Sequence, residues 1–213
     1  MQALRSWIFA MRRPQMGRRI VAMVLSIATM GFCVCMFHLL SSGTDPYSTM
    51  CFGLEGKTGI VAGTWMTIIN ALLLVVVLLC NPNRIGLGTL CNMMGVGVFT
   101  ELSRLLLRNA GIETMSLLSR SLLFVPVVVL FLLVVALYMA ADLGVSPYDA
   151  IPLLVVERHA QIPYKWARMA LDMTGLLIGF LLGATLGPTT VIVAFFMGPM
   201  AQWVAEKVKP FFQ

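Results

Sequence analysis

Asp172 lies near the middle of the apolar run 162–183, and Arg168 stands one helical turn before it. A carboxylate in hydrocarbon is costly, so a chain that keeps one uses it for a substrate or proton path or to hold an opposite charge. Asp172 is therefore a candidate solute or proton site and, equally, the acidic half of an i,i+4 ion pair with Arg168. Asn70 occupies nearly the matching place in the run 60–80, and Asn92 lies in the run 86–107. Amides in such places bind a ligand or join helices by hydrogen bonds.

A second set of polar residues sits in two related turns, SGTDPYSTM at 42–50 and LGVSPYDAI at 143–151. Asp45 and Ser146 have the chemistry of N-caps, Pro46 and Pro147 suit the first helical position, and Asp149 at N3 completes a capping box with Ser146. Each turn is predicted to start a helix of roughly 10–12 residues, about 15–18 Å, which is half a bilayer. These helices are expected to be re-entrant or interfacial, with Pro152 kinking the second. Their amino ends would offer free N–H groups and a positive dipole end to an anion, lined by Tyr47, Ser48, Tyr148 and Asp149. The alternative is that these side chains only cap and anchor. Thr89 and Thr190, after two glycine turns, are candidates for the same site and for caps of the helices that follow them.

These groups must be positioned by membrane helices. Of 213 residues 59% are hydrophobic and 11% charged, against roughly 25% charged in a soluble domain. Six runs approach the ~20 residues needed to cross a bilayer: 20–40, 60–80, 86–107, 121–141, 162–183 and 188–205. Five arginines precede the first run, whose apolar part is too long for a secretory signal. Leu4, Trp7, Ile8, Phe9 and Met11, interleaved with arginine, predict a surface-lying amphipathic segment within 1–19. With the amino terminus in the cytoplasm, most lysines and arginines fall inside, leaving Lys57, Arg104, Arg108 and Arg120 outside. Both termini are thus expected in the cytoplasm. The net charge of +6 is accounted for by topology and anionic lipid, and no nucleic-acid partner is expected.

Shifting the chain against itself by 101 residues aligns Gly43 with Gly144, Pro46 with Pro147, Tyr47 with Tyr148, Trp65 with Trp166, Gly86 with Gly187, Thr89 with Thr190 and Gly97 with Gly198. The chain is read as two copies of one unit, 20–110 and 119–206, with a short tail at 207–213. Three spans per copy is an odd number, so the second copy enters the membrane from the opposite side as an inverted repeat. The fold class is therefore an all-α membrane protein of six transmembrane helices, with one half-helix in each repeat.

The second-half LGxxPxD-type turn, Asp172, the LLIGFLLGATLGPTT and FFMGP runs, and the first-half DPYS and IGLGTLCNMMGVG runs together resemble the YczE/YitT-type bacterial integral membrane proteins, over roughly 20–204. The resemblance implies a bacterial inner-membrane location and no particular substrate.

Gly175, Gly179 and Gly183 recur every four residues and let another helix approach closely. That face would either pack within the chain or join two copies as a homodimer. Gly95, Gly97 and Gly198-Pro199 are expected bends. The five cysteines lack metal spacing and are expected to be buried and inert. No nucleophile, metal or phosphate-loop motif appears, so no enzyme and no cofactor is expected. Two functions remain: a small secondary carrier of an unidentified polar or charged solute, alternating access between repeats, and a non-transporting membrane partner or assembly factor.

Overall fold

A computed structural model describes residues 15–41, 43–82, 85–112 and 115–208. The expected amphipathic segment falls outside the described residues. Among these residues eight helices follow one another: α1 Met16–Leu39, α2 Pro46–Thr58, α3 Ala62–Cys80, α4 Leu87–Leu107, α5 Leu117–Ala141, α6 Pro147–Arg158, α7 Tyr164–Leu181 and α8 Pro188–Val208. No strand occurs among the described residues.

Helices α1, α3, α4 and α5 are long and apolar enough to cross a bilayer. The remaining two runs expected to span, 162–183 and 188–205, form α7 and α8. Helix α7 has 18 residues and is less apolar than these four, carrying Lys165, Arg168 and Asp172, while α8 opens with an apolar stretch, Pro188–Met197. Large apolar side chains face outward on α3, α4, α5 and α7, with Leu79 82% exposed. A surface so apolar is a lipid-facing one. The chain is an all-α, multi-pass membrane protein.

Helices α1 and α5 form the centre. Met23, Ile27, Val34 and Phe37 of α1 are buried together with Val127, Val128, Phe131 and Val135 of α5, and the Phe37 and Phe131 rings meet edge-on at 5.5 Å. Helix α4 lies on α1 and α8 on α5; α2 packs on α3 and on α7, and α6 on α7 and on α3. Exchanging the first four helices with the last four leaves this set of neighbours unchanged.

The two short helices begin as their sequences dictate. Asp45 is extended (φ −60°, ψ 156°) and accepts from the Ser48 N–H; Ser146 (φ −60°, ψ 150°) accepts from the Asp149 N–H. Pro46 and Pro147 take the first helical position, where a missing N–H costs nothing. Helix α2 runs to Thr58, a few residues beyond the expected length, because Gly59 ends it in the left-handed region at φ 74°. Helix α6 passes through Pro152 without a break in its assignment.

Several of the glycines singled out in the sequence are contact points. Helix α4 is continuous through Gly95 and Gly97; Gly97 is a contact point, where an added Cβ would come 2.6 Å from the Gly63 carbonyl oxygen of α3. Among the stripe on α7, Gly175 and Gly179 lie against α2 of the same chain, with a Cβ on Gly179 meeting Thr49 Cγ2 at 2.8 Å. Gly183 (φ 83°) meets nothing within 4 Å. Cys33, Cys35 and Cys51 are buried, but Cys80 and Cys91 are exposed, because both lie on outer faces of spans rather than on the α1–α5 seam.

Candidate functional site

Helices α6 and α7 assemble one charged network. Ser146, at the cap of α6, donates its hydroxyl to Asp149 Oδ2 at 2.7 Å while accepting from the Asp149 N–H at 3.1 Å. This fixes the carboxyl side chain two residues into the helix. From α7, Arg168 donates Nε to Asp172 Oδ2 at 2.9 Å and Nη1 to Asp149 Oδ1. Tyr148 donates its hydroxyl to the other Asp172 oxygen at 2.9 Å, and the Arg168 guanidinium lies 5.1 Å from the Tyr148 ring centre. Asp172 is fully buried and Arg168 nearly so. The planar guanidinium bridges two carboxylates at once, a geometry that a point-charge ammonium does not reproduce.

The i,i+4 pair between Arg168 and Asp172 is therefore present, and it forms part of a larger arrangement. A small cavity of about 70 Å³ lies beside it, lined by Asp45, Tyr47, Ser48, Asn70, Asn92, Ser146, Tyr148, Asp149 and Arg168 among others. The sequence-predicted polar residues from both halves thus converge on one space. Tyr47 and Tyr148 reach it from opposite turns, and their rings touch with centres 4.9 Å apart. Tyr47 donates its hydroxyl to the Met66 carbonyl of α3 at 2.5 Å. Both tyrosines face inward, against the alternative in which they anchor in the headgroup layer.

Two cavity-lining oxygens have no hydrogen-bond partner: Asp45 Oδ1 and Asn70 Oδ1. Both side chains are more than nine-tenths buried. Asn92 donates only to the soft Met30 sulfur, at 3.9 Å.

The helix amino ends are largely occupied by their own caps. The Ser48 N–H goes to Asp45 Oδ2, the Thr49 N–H to the Asp45 carbonyl, and the Asp149 N–H to Ser146. Carboxylates already stand where an anion would bind.

Thr89 and Thr190 lie outside the cavity wall and accept from the N–H groups of Gly86 and Gly187, at 3.1 and 3.4 Å. Each of these glycine turns meets the turn of the other half. An added Cβ on Gly144 (φ 112°) would come within 2.7 Å of the Gly86 nitrogen and of Thr89 Oγ1, and one on Gly43 (φ 78°) would strike Gly187 and Thr190. The Gly88 N–H donates across this junction to the Leu143 carbonyl at 2.8 Å. The two threonines therefore cap α4 and α8 where the halves interlock.

Sequence reasoning did not find the apolar cavity wall, which includes Met30, Val34, Phe131, Val135 and Met197. Nothing in their residue types separates them from the rest of the α1–α5 core.

Membrane-embedded charge, enclosed by short capped helices between longer apolar ones, places the chain among polytopic membrane proteins that keep a polar centre. It belongs to the family of unknown function DUF6198, which matches residues 17–206. It is similar to the uncharacterized membrane protein YczE of Bacillus subtilis (strain 168), 28% identical over 156 residues, covering 73% of this chain and 70% of that one. An uncharacterized protein of Haemophilus influenzae (strain ATCC 51907 / DSM 11121 / KW20 / Rd) is 24% identical over 186 residues, covering 87% and 83%. No solved structure matches the chain.

Proposed function

We propose that the protein is a small secondary carrier for a polar or charged solute, built as two inverted repeats that rock about a shared central site. The observation that carries this reading is the meeting of Tyr47 and Tyr148, with ring centres 4.9 Å apart, at a cavity lined by polar residues of both halves. Residues related by a two-fold operation touch each other only near its axis, so the tyrosine pair marks the axis and the cavity lies on it. Carriers with inverted repeats and broken helices hold substrate in that position.

The exchange of neighbours among the eight helices supports the same operation. In this reading α7 and α8 complete the set of six spans, the charges of α7 being tolerated because Arg168 and Asp172 are buried against α2 and α6 and kept from lipid. The location is the bacterial inner membrane, and the reading includes no covalent step.

The test is solute uptake and efflux in proteoliposomes, wild type against Asp172→Asn. A carrier predicts solute-dependent flux that Asp172→Asn abolishes while the variant still elutes as a folded species. A folded Asp172→Asn variant with undiminished flux would remove Asp172 from the site. Absence of flux across a broad panel of ions, amines and amino acids would favour a non-transporting membrane partner.

A further inference from the structure

The cavity has a definite chemical bias. Several hydrogen-bond donors on its wall are already committed: the Tyr148 hydroxyl to Asp172, the Tyr47 hydroxyl to Met66, and Arg168 through Nε and Nη1 to two carboxylates. Two acceptors are left over. Asp45 Oδ1 and Asn70 Oδ1, from a turn and a span of the first half, are buried, unpartnered and on the cavity wall. An unpaired buried acceptor costs roughly 1–3 kcal/mol, more for a charged group, so two beside one space point to a donor that fills it. Two carboxyl groups, Asp45 and Asp149, share the cavity wall with one basic side chain, Arg168.

Size and lining narrow the class. About 70 Å³ is roughly two water volumes, too little for an amino acid or a sugar. Much of the wall is aromatic or aliphatic, with Tyr47, Tyr148 and Phe131 contributing rings. Among the described residues no group of three or more His, Cys, Asp or Glu converges as a metal site would require, and hard divalent ions take six or more oxygens. An ammonium ion needs a few acceptors and gains from aromatic faces.

We infer that the cavity between Asp45 and Asn70 is a binding site for a small ammonium-type cation, ammonium itself or a short primary amine such as methylammonium. The inference rests on the proposed central site and names its ligand class; it does not require that the ligand is carried across.

The test is thermal unfolding and calorimetric titration of the purified full-length protein in detergent. Ammonium and methylammonium chloride are compared with sodium chloride and with the bulky N-methylglucamine chloride at matched ionic strength. The expected result is saturable stabilisation by the two small ammonium ions only. Asp45→Asn retains a side chain that caps α2 well but removes the charge, and Asn70→Leu removes the amide oxygen. Each should weaken binding roughly 10- to 100-fold, the loss of one charge-assisted hydrogen bond. If Asp45→Asn fails to fold, Asn70→Leu and the salt series decide. Equal stabilisation by sodium, no saturable effect of either ammonium ion, or unchanged affinity in a folded variant overturns the inference. Binding without flux in proteoliposomes would uphold it and remove the carrier reading. Flux of another solute with no ammonium binding would do the reverse.

Discussion

At the residue scale, Tyr148 and Arg168 divide the two oxygens of Asp172 between them. Replacing Tyr148 by phenylalanine strips one buried carboxylate oxygen of its donor and should cost about 1–3 kcal/mol, read as a lower unfolding temperature in detergent. Arg168→Gln should cost more, roughly 3–5 kcal/mol, because it leaves the buried Asp172 and the half-buried Asp149 without their cation. Arg168→Lys should recover only part of that, since an ammonium cannot hold Asp149 and Asp172 in one plane. An Arg168→Lys variant as stable as wild type would show that the bridging geometry is immaterial. The Arg168–Asp172 pair could be read from the sequence because an i,i+4 spacing is local. The bonds from Tyr148 and Asp149 could not, because they cross from α6 to α7 and depend on how the two helices meet.

At the element scale, α3 begins without a cap of its own. Val61 stands at its N-cap, and the Ala62 and Gly63 N–H groups are taken instead by Glu55 of α2 at 3.0 Å and Glu101 of α4 at 3.2 Å. Arg104 joins them, donating to both oxygens of Glu55 at 2.8 and 3.2 Å. Glu55 lies outside the four spans; its partial burial acts to raise its carboxyl, but the hydrogen bond and charge of Arg104 prevail and hold it below the usual carboxylate range. A depressed folded-state value means that the pair stabilises the protein above the unfolded carboxyl's titration near about pH 4.3. That contribution is lost as pH falls through the folded value. Melting measured from about pH 6 to about pH 3 should therefore decline less steeply in Glu55→Gln than in wild type, and equal slopes would dismiss the linkage. These borrowed caps were invisible in the sequence, because each acceptor sits on a different helix and depends on how the helices meet. The glycine stripe of α7, by contrast, was legible as a close-packing face, and only its partner, α2, had to be seen. Gly179→Val should lose about 1–3 kcal/mol through overpacking against Thr49, whereas Gly56→Ala, with open space around it, should be neutral or slightly stabilising.

At the scale of the whole molecule, the two related turns were readable because they rest on glycine and proline, residues fixed by backbone geometry rather than by the packing of their side chains. Gly43 and Gly144 adopt positive φ and come against Gly187 and Gly86 of the opposite half, so their types are constrained in both copies. The span count was less secure, because burying Arg168 and Asp172 lets α7 be less apolar than a helix bathed in lipid. The remaining question is whether the two halves are inverted, and the lysine and arginine distribution sets the expectation. With both termini in the cytoplasm, the end of α2 faces outward and the end of α6 faces inward. Lys57 and Gln161 are exposed at those two ends and suit cysteine substitution in a background freed of the native thiols. In intact cells a membrane-impermeant thiol reagent should label Lys57→Cys, while Gln161→Cys should react only after the membrane is opened. Labelling of both positions from the same side would rule out inversion, since an inverted pair must place equivalent helix ends on opposite faces. It would also leave the tyrosine contact as a packing detail of a parallel arrangement. Opposite labelling, together with flux lost in Asp172→Asn, would tie the α6–α7 charge network to a site reached alternately from the two sides.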